Sequence, residues 1–376
     1  MSARKIPGGA LAMVRNRRLV YARGYGWADG EAKVPARPES LFRIASVSKP
    51  VTGVAVMKLV EDGRLKLDAP AFPLLGLQPA IASFRDPEPR LRAITVRQLL
   101  QHTGGWDREK SFDPMFRPRR IAEAIHVPAP ASAVNVIRYM LSQPLDFDPG
   151  SRYAYSNFGY CVLGRLIEKV SGRTYEQYVR EKILAPIGVT RMRIGASLAG
   201  KQAAGEVRYY ASSDGLEPNV FPGGPEKVPA PYGSFHLEAM DAHGGWIASV
   251  LDLARFAAAL DDPAKCPLLR AGTLAEMYAP PPAPVSRMEN GALASAYYGA
   301  GWSVRPVEKT GRANYWHNGS LPGTSSLLVR RHDGLSWAAL FNRRSEDKDL
   351  PDSAIDGALH RAAAVVTGWP EGEALL

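Results

Sequence analysis

The chain has only two cysteines, Cys161 and Cys266, in 376 residues, which excludes a disulfide framework. Its seven histidines are scattered and suggest no metal site. No apolar run approaches the roughly 18 to 20 residues needed to span a bilayer. Met1-Ser-Ala-Arg-Lys-Ile-Pro7 carries no apolar signal-peptide core, so the chain reads either as cytoplasmic or as one whose leader has been removed. Gly-x-Ser-x-Gly, His-Glu-x-x-His, a Walker loop and a dinucleotide fingerprint are all missing. Nucleophile-elbow hydrolases, zinc proteases and nucleotide enzymes therefore lose their usual signatures. Internal repeats and low-complexity tracts are missing too.

What is present is an ordinary globular composition, 45% hydrophobic and 22% charged, which rules out disorder, collagen and coiled coil as the main architecture. The length fits one large domain or two ordinary ones. Lys and Arg number 47 against 37 Asp and Glu, a net charge of +10. The basic residues are dispersed, with short clusters at Arg117-Pro-Arg-Arg120 and Arg343-Arg344, and no nucleic-acid-binding pattern accompanies them. They read as a solvated basic surface that can draw anionic substrates or surfaces.

Strand patterns stand at both ends of the chain. Gly9-Ala-Leu-Ala-Met-Val14 and Arg18-Leu-Val-Tyr-Ala-Arg-Gly-Tyr-Gly26 predict a β-hairpin. Val51, Val54, Ala55 and Leu59 then share one face of a predicted amphipathic helix that stops at Gly63. A second helix is predicted over residues 158–170, and Thr174 opens a short third one. Ser249-Val-Leu-Asp252 resembles a capping box at the start of a helix over 251–260. Strands are expected over 298–304, 314–316, 325–331 and 335–342, with His332-Asp333-Gly334 turning between the last two, before a closing helix over 353–366. The whole reads as one catalytic domain. Its mixed sheet comes from residues 1–66 and 236–376, and a helical lobe, 67–235, is inserted between them.

Ser-x-x-Lys occurs three times, at Ser2 to Lys5, Ser46 to Lys49 and Ser345 to Lys348. The first lies in a terminus and the last in a charged loop. Ser46-Val-Ser-Lys49 stands where the extended Leu41-Phe-Arg-Ile-Ala45 meets a helix, so the two side chains share a helix face. A serine hydroxyl needs an adjacent base, and a lysine whose pKa is lowered by burial or a nearby cation can serve. Amides at the helix start can meet a developing oxyanion. The bland alternative is a serine cap beside a surface lysine.

Tyr155-Ser-Asn157, the single Tyr-x-Asn, follows a Pro-Gly turn and leads into the second helix. A tyrosine can share a proton with a lysine, and an asparagine amide can hold a substrate carbonyl. A third element, a polar residue and a glycine on a strand edge, has several candidates. His102-Thr-Gly104 precedes the tyrosine motif, His243-Gly-Gly245 leads into a capped helix, and Lys309-Thr-Gly311 reads as a hairpin turn. His317-Asn318-Gly319 ends a strand and is preferred.

Taken together, the order and spacing resemble the serine β-lactamase and penicillin-binding-protein superfamily, and within it the class C-like hydrolases: family VIII carboxylesterases, D-aminopeptidases and DD-peptidases. The resemblance runs over nearly the whole chain, through Ile6-Pro-Gly-Gly-Ala10, Phe42 to Lys49, Leu99-Leu-Gln-His-Thr-Gly-Gly105, Phe147 to Asn157, Gly244-Gly245 with the Asp252 helix, and His317 to Gly323. It implies an α/β (α+β) fold of β-lactamase/DD-peptidase type, an antiparallel sheet flanked by helices with an all-α lobe. By the same resemblance Ser46 is the acylated nucleophile, Lys49 its base partner, Tyr155 the general base and acid, and Asn157 a substrate positioner. His317, Asn318 and Gly319 line the strand edge, and the amides of Ser46 and Ser320 form an oxyanion hole. Trp106 and Trp316 are expected as acyl-pocket walls, with burial in the core the alternative; Cys161 is read as a packed thiol.

The implied activity is hydrolysis of ester or amide bonds through a Ser46 acyl-enzyme, with no metal or organic cofactor, and carboxylesterase-like in preference. D-amino-acid peptidase, DD-carboxypeptidase, β-lactamase, acyltransferase and an idle scaffold are the alternatives. Expected partners are small ester, amide or β-lactam substrates, without nucleic acid or a membrane span; the oligomeric state is open. The family's usual Lys-Thr-Gly is His317-Asn318-Gly319 here, and a mostly neutral His317 disfavours anionic lactams. Lactam turnover is therefore expected to improve as pH falls towards 6, if His317 alone controls it.

Overall fold

A computed structural model describes residues 1, 4–80, 88–211, 215–308, 310–345 and 354–376. Ser2, Lys309, Lys348 and Ser353 lie outside these described residues. The main sheet runs, in spatial order, Glu373–Ala374, Arg18–Asp29, Gly8–Arg15, Leu335–Phe341, Thr324–Arg330, Arg312–Leu321, Ser303–Val307 and Tyr297–Tyr298. Every pairing is antiparallel. Strands from both ends of the chain meet where Gly9 pairs with Phe341 and Arg15 with Leu335.

The central strands are apolar on both faces because both faces are covered. Ala10, Ala12, Leu328, Ala338 and Leu340 join the large core, which the Val250–Ala259 and Ser48–Glu61 helices also enter. Met13, Leu327, Val329 and Trp337 pack on the other side with Leu359 and Ala363 of the closing helix, Ala354–Ala364.

Several sequence expectations change in detail. The Ser48–Glu61 helix is not amphipathic, since Ser48 to Met57 and Leu59 are all buried. It is a central helix, wrapped on every side. The second helix begins one residue earlier than expected, at Asn157, and runs to Ser171, capped by the Ser156 hydroxyl, which accepts from the Gly159 amide. The expected 298–304 strand divides into a hairpin that pairs Tyr298 with Ser303. Its turn includes Gly301 at φ +89°, where an added Cβ would lie 2.7 Å from the Lys49 carbonyl. Only glycine lets the Tyr298 turn close against the start of the Lys49 helix. Finally, His243 is followed by a short strand, Trp246–Ala248, before the Ser249–Asp252 capping box. That strand pairs with Phe42–Arg43 and Arg193–Ile194 and fixes the segment entering Ser46.

Candidate active site

The segment before Ser46 is held from three directions. The Ile44 amide donates to the Trp246 carbonyl at 3.0 Å. The Thr324 hydroxyl donates to the Arg43 carbonyl at 2.8 Å, and the Ser326 hydroxyl to the Ile44 carbonyl at 2.6 Å. Arg43 itself is buried, donating to the carbonyls of Pro231 and Ala196. Ala45 takes φ +46°, a left-handed conformation disfavoured for any residue with a Cβ. This turn delivers Ser46 at the head of the Ser48–Glu61 helix.

Lys49 is fully buried, and its amine lies 3.1 Å from Ser46 Oγ, 2.8 Å from Asn157 Oδ1 and 3.0 Å from the His243 carbonyl. Burial holds its pKa well below the usual lysine range; the Asp113 carboxylate opposes that shift and Arg108 adds to it. Asn157 bridges Lys49 and Asp113, since its Nδ2 donates to Asp113 Oδ2 at 2.6 Å. An ionised carboxylate only accepts, so Nδ2 faces Asp113 and Oδ1 is left to accept from Lys49. Asn157 thus ties Lys49 to a carboxylate, a connection the sequence motif does not contain.

Burial desolvates the Tyr155 phenol and raises its pKa strongly, a rise that its interaction with Ser46 opposes. Its ring centroid is 4.7 Å from the Lys49 amine and 4.4 Å from the His102 ring. The Arg108 guanidinium lies 5.2 Å from the same ring and also pairs with Glu109. His102 Nδ1 accepts from the Ser156 amide at 3.2 Å, so this decoy of the third motif positions the tyrosine segment.

His317 is buried, with Nε2 2.8 Å from the Tyr298 hydroxyl and Nδ1 2.6 Å from the Asn318 carbonyl. A carbonyl can only accept, so Nδ1 carries the proton and Nε2 accepts from Tyr298. Burial, with Lys49 nearby, lowers the His317 pKa to about 3. This corrects the expectation of better lactam turnover near pH 6: His317 does not gain a proton there.

The Arg312–Leu321 strand pairs with Ser303–Val307 only as far as Trp316, so residues 317–321 form an open edge. The two-residue turn Pro322-Gly323 makes Leu321 and Thr324 a hydrogen-bonded pair. Alternation then turns the Asn318 and Ser320 amides towards the open edge. Pro306, which has no amide proton, falls in the same scheme at a position that needs none. At Gly319 an added Cβ would lie 2.4 Å from the Ile44 carbonyl and 2.9 Å from the Ser46 amide. The strand backbone therefore presses directly on the serine turn.

Not every expected residue reaches the site. Alternate strand residues face opposite sides, so Trp316 points away from His317's face and packs against the cluster of Met13, Val329 and Trp337. Asn318 and Ser320 share that parity and are exposed, leaving only their backbone at the cleft edge. Trp106 fills the helical core, edge-on to Phe72 and Phe158. Cys161 is fully buried, with its pKa pushed up to about 12, and is a packed thiol. Asp113, Arg108, His102 and Tyr298 were not singled out as site residues. Asp113-Pro114 reads in sequence only as the cap of a short turn, which it also is.

A model of the Beta-lactamase family matches residues 1–361. A putative fimbrial assembly protein, FimD serogroup D of Dichelobacter nodosus, is 38% identical over 157 residues, 42% of this chain and 36% of the relative. The match thus spans about a third of that relative's length. Esterase EstB of Burkholderia gladioli is 30% identical over 286 residues, 67% of this chain and 70% of the relative. Among solved structures, the octameric penicillin-binding protein homologue from Pyrococcus abyssi superposes with a TM-score of 0.73 at 26% identity, covering 97% of this chain and 75% of that one.

Proposed function

The chain belongs to the Beta-lactamase family, and from that premise we propose that it is a serine hydrolase that opens ester or amide bonds through a Ser46 acyl-enzyme. The observation that carries the reading is the environment of the Lys49 amine. A neutral amine has two N–H donors and one lone pair. Asn157 Oδ1 and the His243 carbonyl can only accept, so they take the two donors. The lone pair is left to Ser46 Oγ, 3.1 Å away. Burial favours this neutral form. Lys49 then removes the serine proton as Oγ attacks the substrate carbonyl carbon. The oxyanion meets the amides of Ser46 and Ser320. Tyr155, held as a neutral phenol, gives its proton to the leaving group and recovers one from Lys49. Water then releases the acid from Ser46. The neighbouring esterase EstB and penicillin-binding homologue support the ester and amide classes.

A fluorophosphonate probe is expected to label one serine, mapped by peptide sequencing to Ser46, with no label in Ser46→Ala. Labelling at Ser345 or elsewhere would overturn the assignment. For substrate preference, a neutral His317 and exposed Asn318 bring no charge to a lactam carboxylate, and charge-assisted bonds are roughly twice as strong as neutral ones. Arg108, over the Tyr155 ring, is paired with Glu109. We expect kcat/KM for a short p-nitrophenyl ester to exceed that for penicillins by at least roughly tenfold. Penicillins turned over faster than every ester tested would make the protein a β-lactamase instead.

A further inference from the structure

The two basic clusters of the sequence, Arg117-Pro-Arg-Arg120 and Arg343-Arg344, are more than two hundred residues apart, yet both reach one cavity. That cavity, of about 500 Å³, is lined by Arg117, Arg119, Arg120 and Arg344, with Glu217 the one acidic residue of its walls among the described residues. Arg119 is occupied by Glu123 and the Asn219 carbonyl. Arg117 and Arg120 have no carboxylate partner among the described residues; Arg117 lies over the Phe112 ring at 4.4 Å. An anion entering here meets guanidinium groups suited to bidentate binding.

Two stretches of the lining adjoin site residues along the chain. Phe112 precedes Asp113, which holds Asn157, and the Arg117 side follows from that turn. On the other side the lining residues Pro322 and Gly323 follow Ser320 on the open strand edge. At roughly 3.3 Å per extended residue, the turn begins within about 10 Å of the Ser320 amide. His317 lies the other way along the same strand. Tyr155, the proton donor to the leaving group, is on the His317 side, with ring centroids 6.3 Å apart. On the hydrolase reading, a leaving group on the Tyr155 side would leave the acyl chain to run along the strand towards the arginines.

Resting on the hydrolase reading, we propose that the Arg117–Arg120 cavity is an anion subsite that selects substrates whose acyl chain ends in a carboxylate or phosphate. The test compares p-nitrophenyl monoesters of straight-chain dicarboxylic acids with methyl-ended esters of equal length. The acid-ended ester is expected to win by at least about tenfold in kcat/KM at one chain length. In the double variant Arg117→Gln, Arg120→Gln that preference should vanish, with turnover of methyl-ended esters unchanged. A preference absent in the wild type, or intact in the double variant, would overturn the subsite. A second arm does not depend on turnover. Calorimetric titration of Ser46→Ala with glutarate and with inorganic phosphate should show binding that weakens at least tenfold in the double variant and is untouched by Arg312→Gln. The tighter of the two identifies the anion. If no ester is cleaved, the hydrolase reading fails while this titration still decides the cavity; binding of neither anion rejects the subsite.

Discussion

Lys49→Ala is expected to lower the acylation rate by roughly 100-fold or more, and Tyr155→Phe by a similar factor, the size of a lost acid–base group. The effect is large because, among the described residues, Lys49 is the one amine hydrogen-bonded to Ser46 Oγ. His317 Nε2 is occupied by Tyr298. His102 stands behind the Tyr155 ring with Nδ1 taken by Ser156. Asp113 reaches the serine only through Asn157 and Lys49. The pH profile separates a base from a structural lysine. Asp113 raises the Lys49 pKa against the pull of burial. Asp113→Asn should therefore move the acidic limb of the kcat/KM profile to lower pH, and pre-steady-state acylation rates against pH would measure it. A limb that stays in place would deny Lys49 the base role.

The second large effect is loss of the fold in mild acid. His102, His243 and His317 are buried, and burial holds all three pKa values below the usual histidine value. The native state thus keeps them neutral, while the unfolded chain takes up protons below about pH 6.5. Stability from these groups is complete above that pH and is lost as pH falls towards the folded values. Each histidine contributes about 1.4 kcal/mol per pH unit, so three contribute about 4 kcal/mol per unit. Asp113 and Asp241, with raised pKa values, work in the opposite sense and soften the loss at the acidic end. Against a usual total of about 5–15 kcal/mol, cooperative unfolding is expected between roughly pH 5 and 4. Urea midpoints from pH 7.5 downward would follow it, and His243→Gln should reduce the slope by about a third. A midpoint that does not change to pH 4.5 would refute the account.

The outline of this site is legible in sequence where chemistry follows local spacing. Ser46 and Lys49 share a helix face, Tyr155 and Asn157 flank a cap, and the hairpin signals bound the strands. What was not legible depends on surroundings. The Ser48–Glu61 helix has four apolar residues on one face, yet only the fold shows that its remaining faces are covered as well. Trp316, read as a pocket wall or a core residue, adjoins His317 in sequence, yet strand alternation turns the two side chains to opposite faces of the sheet. Asp113 and Tyr298 arrive from segments with no motif of their own. The His317 pKa comes from burial, which spacing does not encode.

The clamp on the Ser46 turn has a consequence for how the protein is made. The hydroxyls that fix Arg43 and Ile44 come from Thr324 and Ser326, 281 and 282 residues later in the chain. The strand that presses on the serine amide is itself supported through Leu335–Phe341, which also pairs with the first strand. On a ribosome adding about 5–20 residues per second, the nucleophile emerges early and waits for most of translation before its partners exist. Contacts of such separation also make folding slow relative to helical proteins of this size. A nascent chain therefore carries Ser46 without an assembled oxyanion site, and acylating power switches on only when the late strands dock.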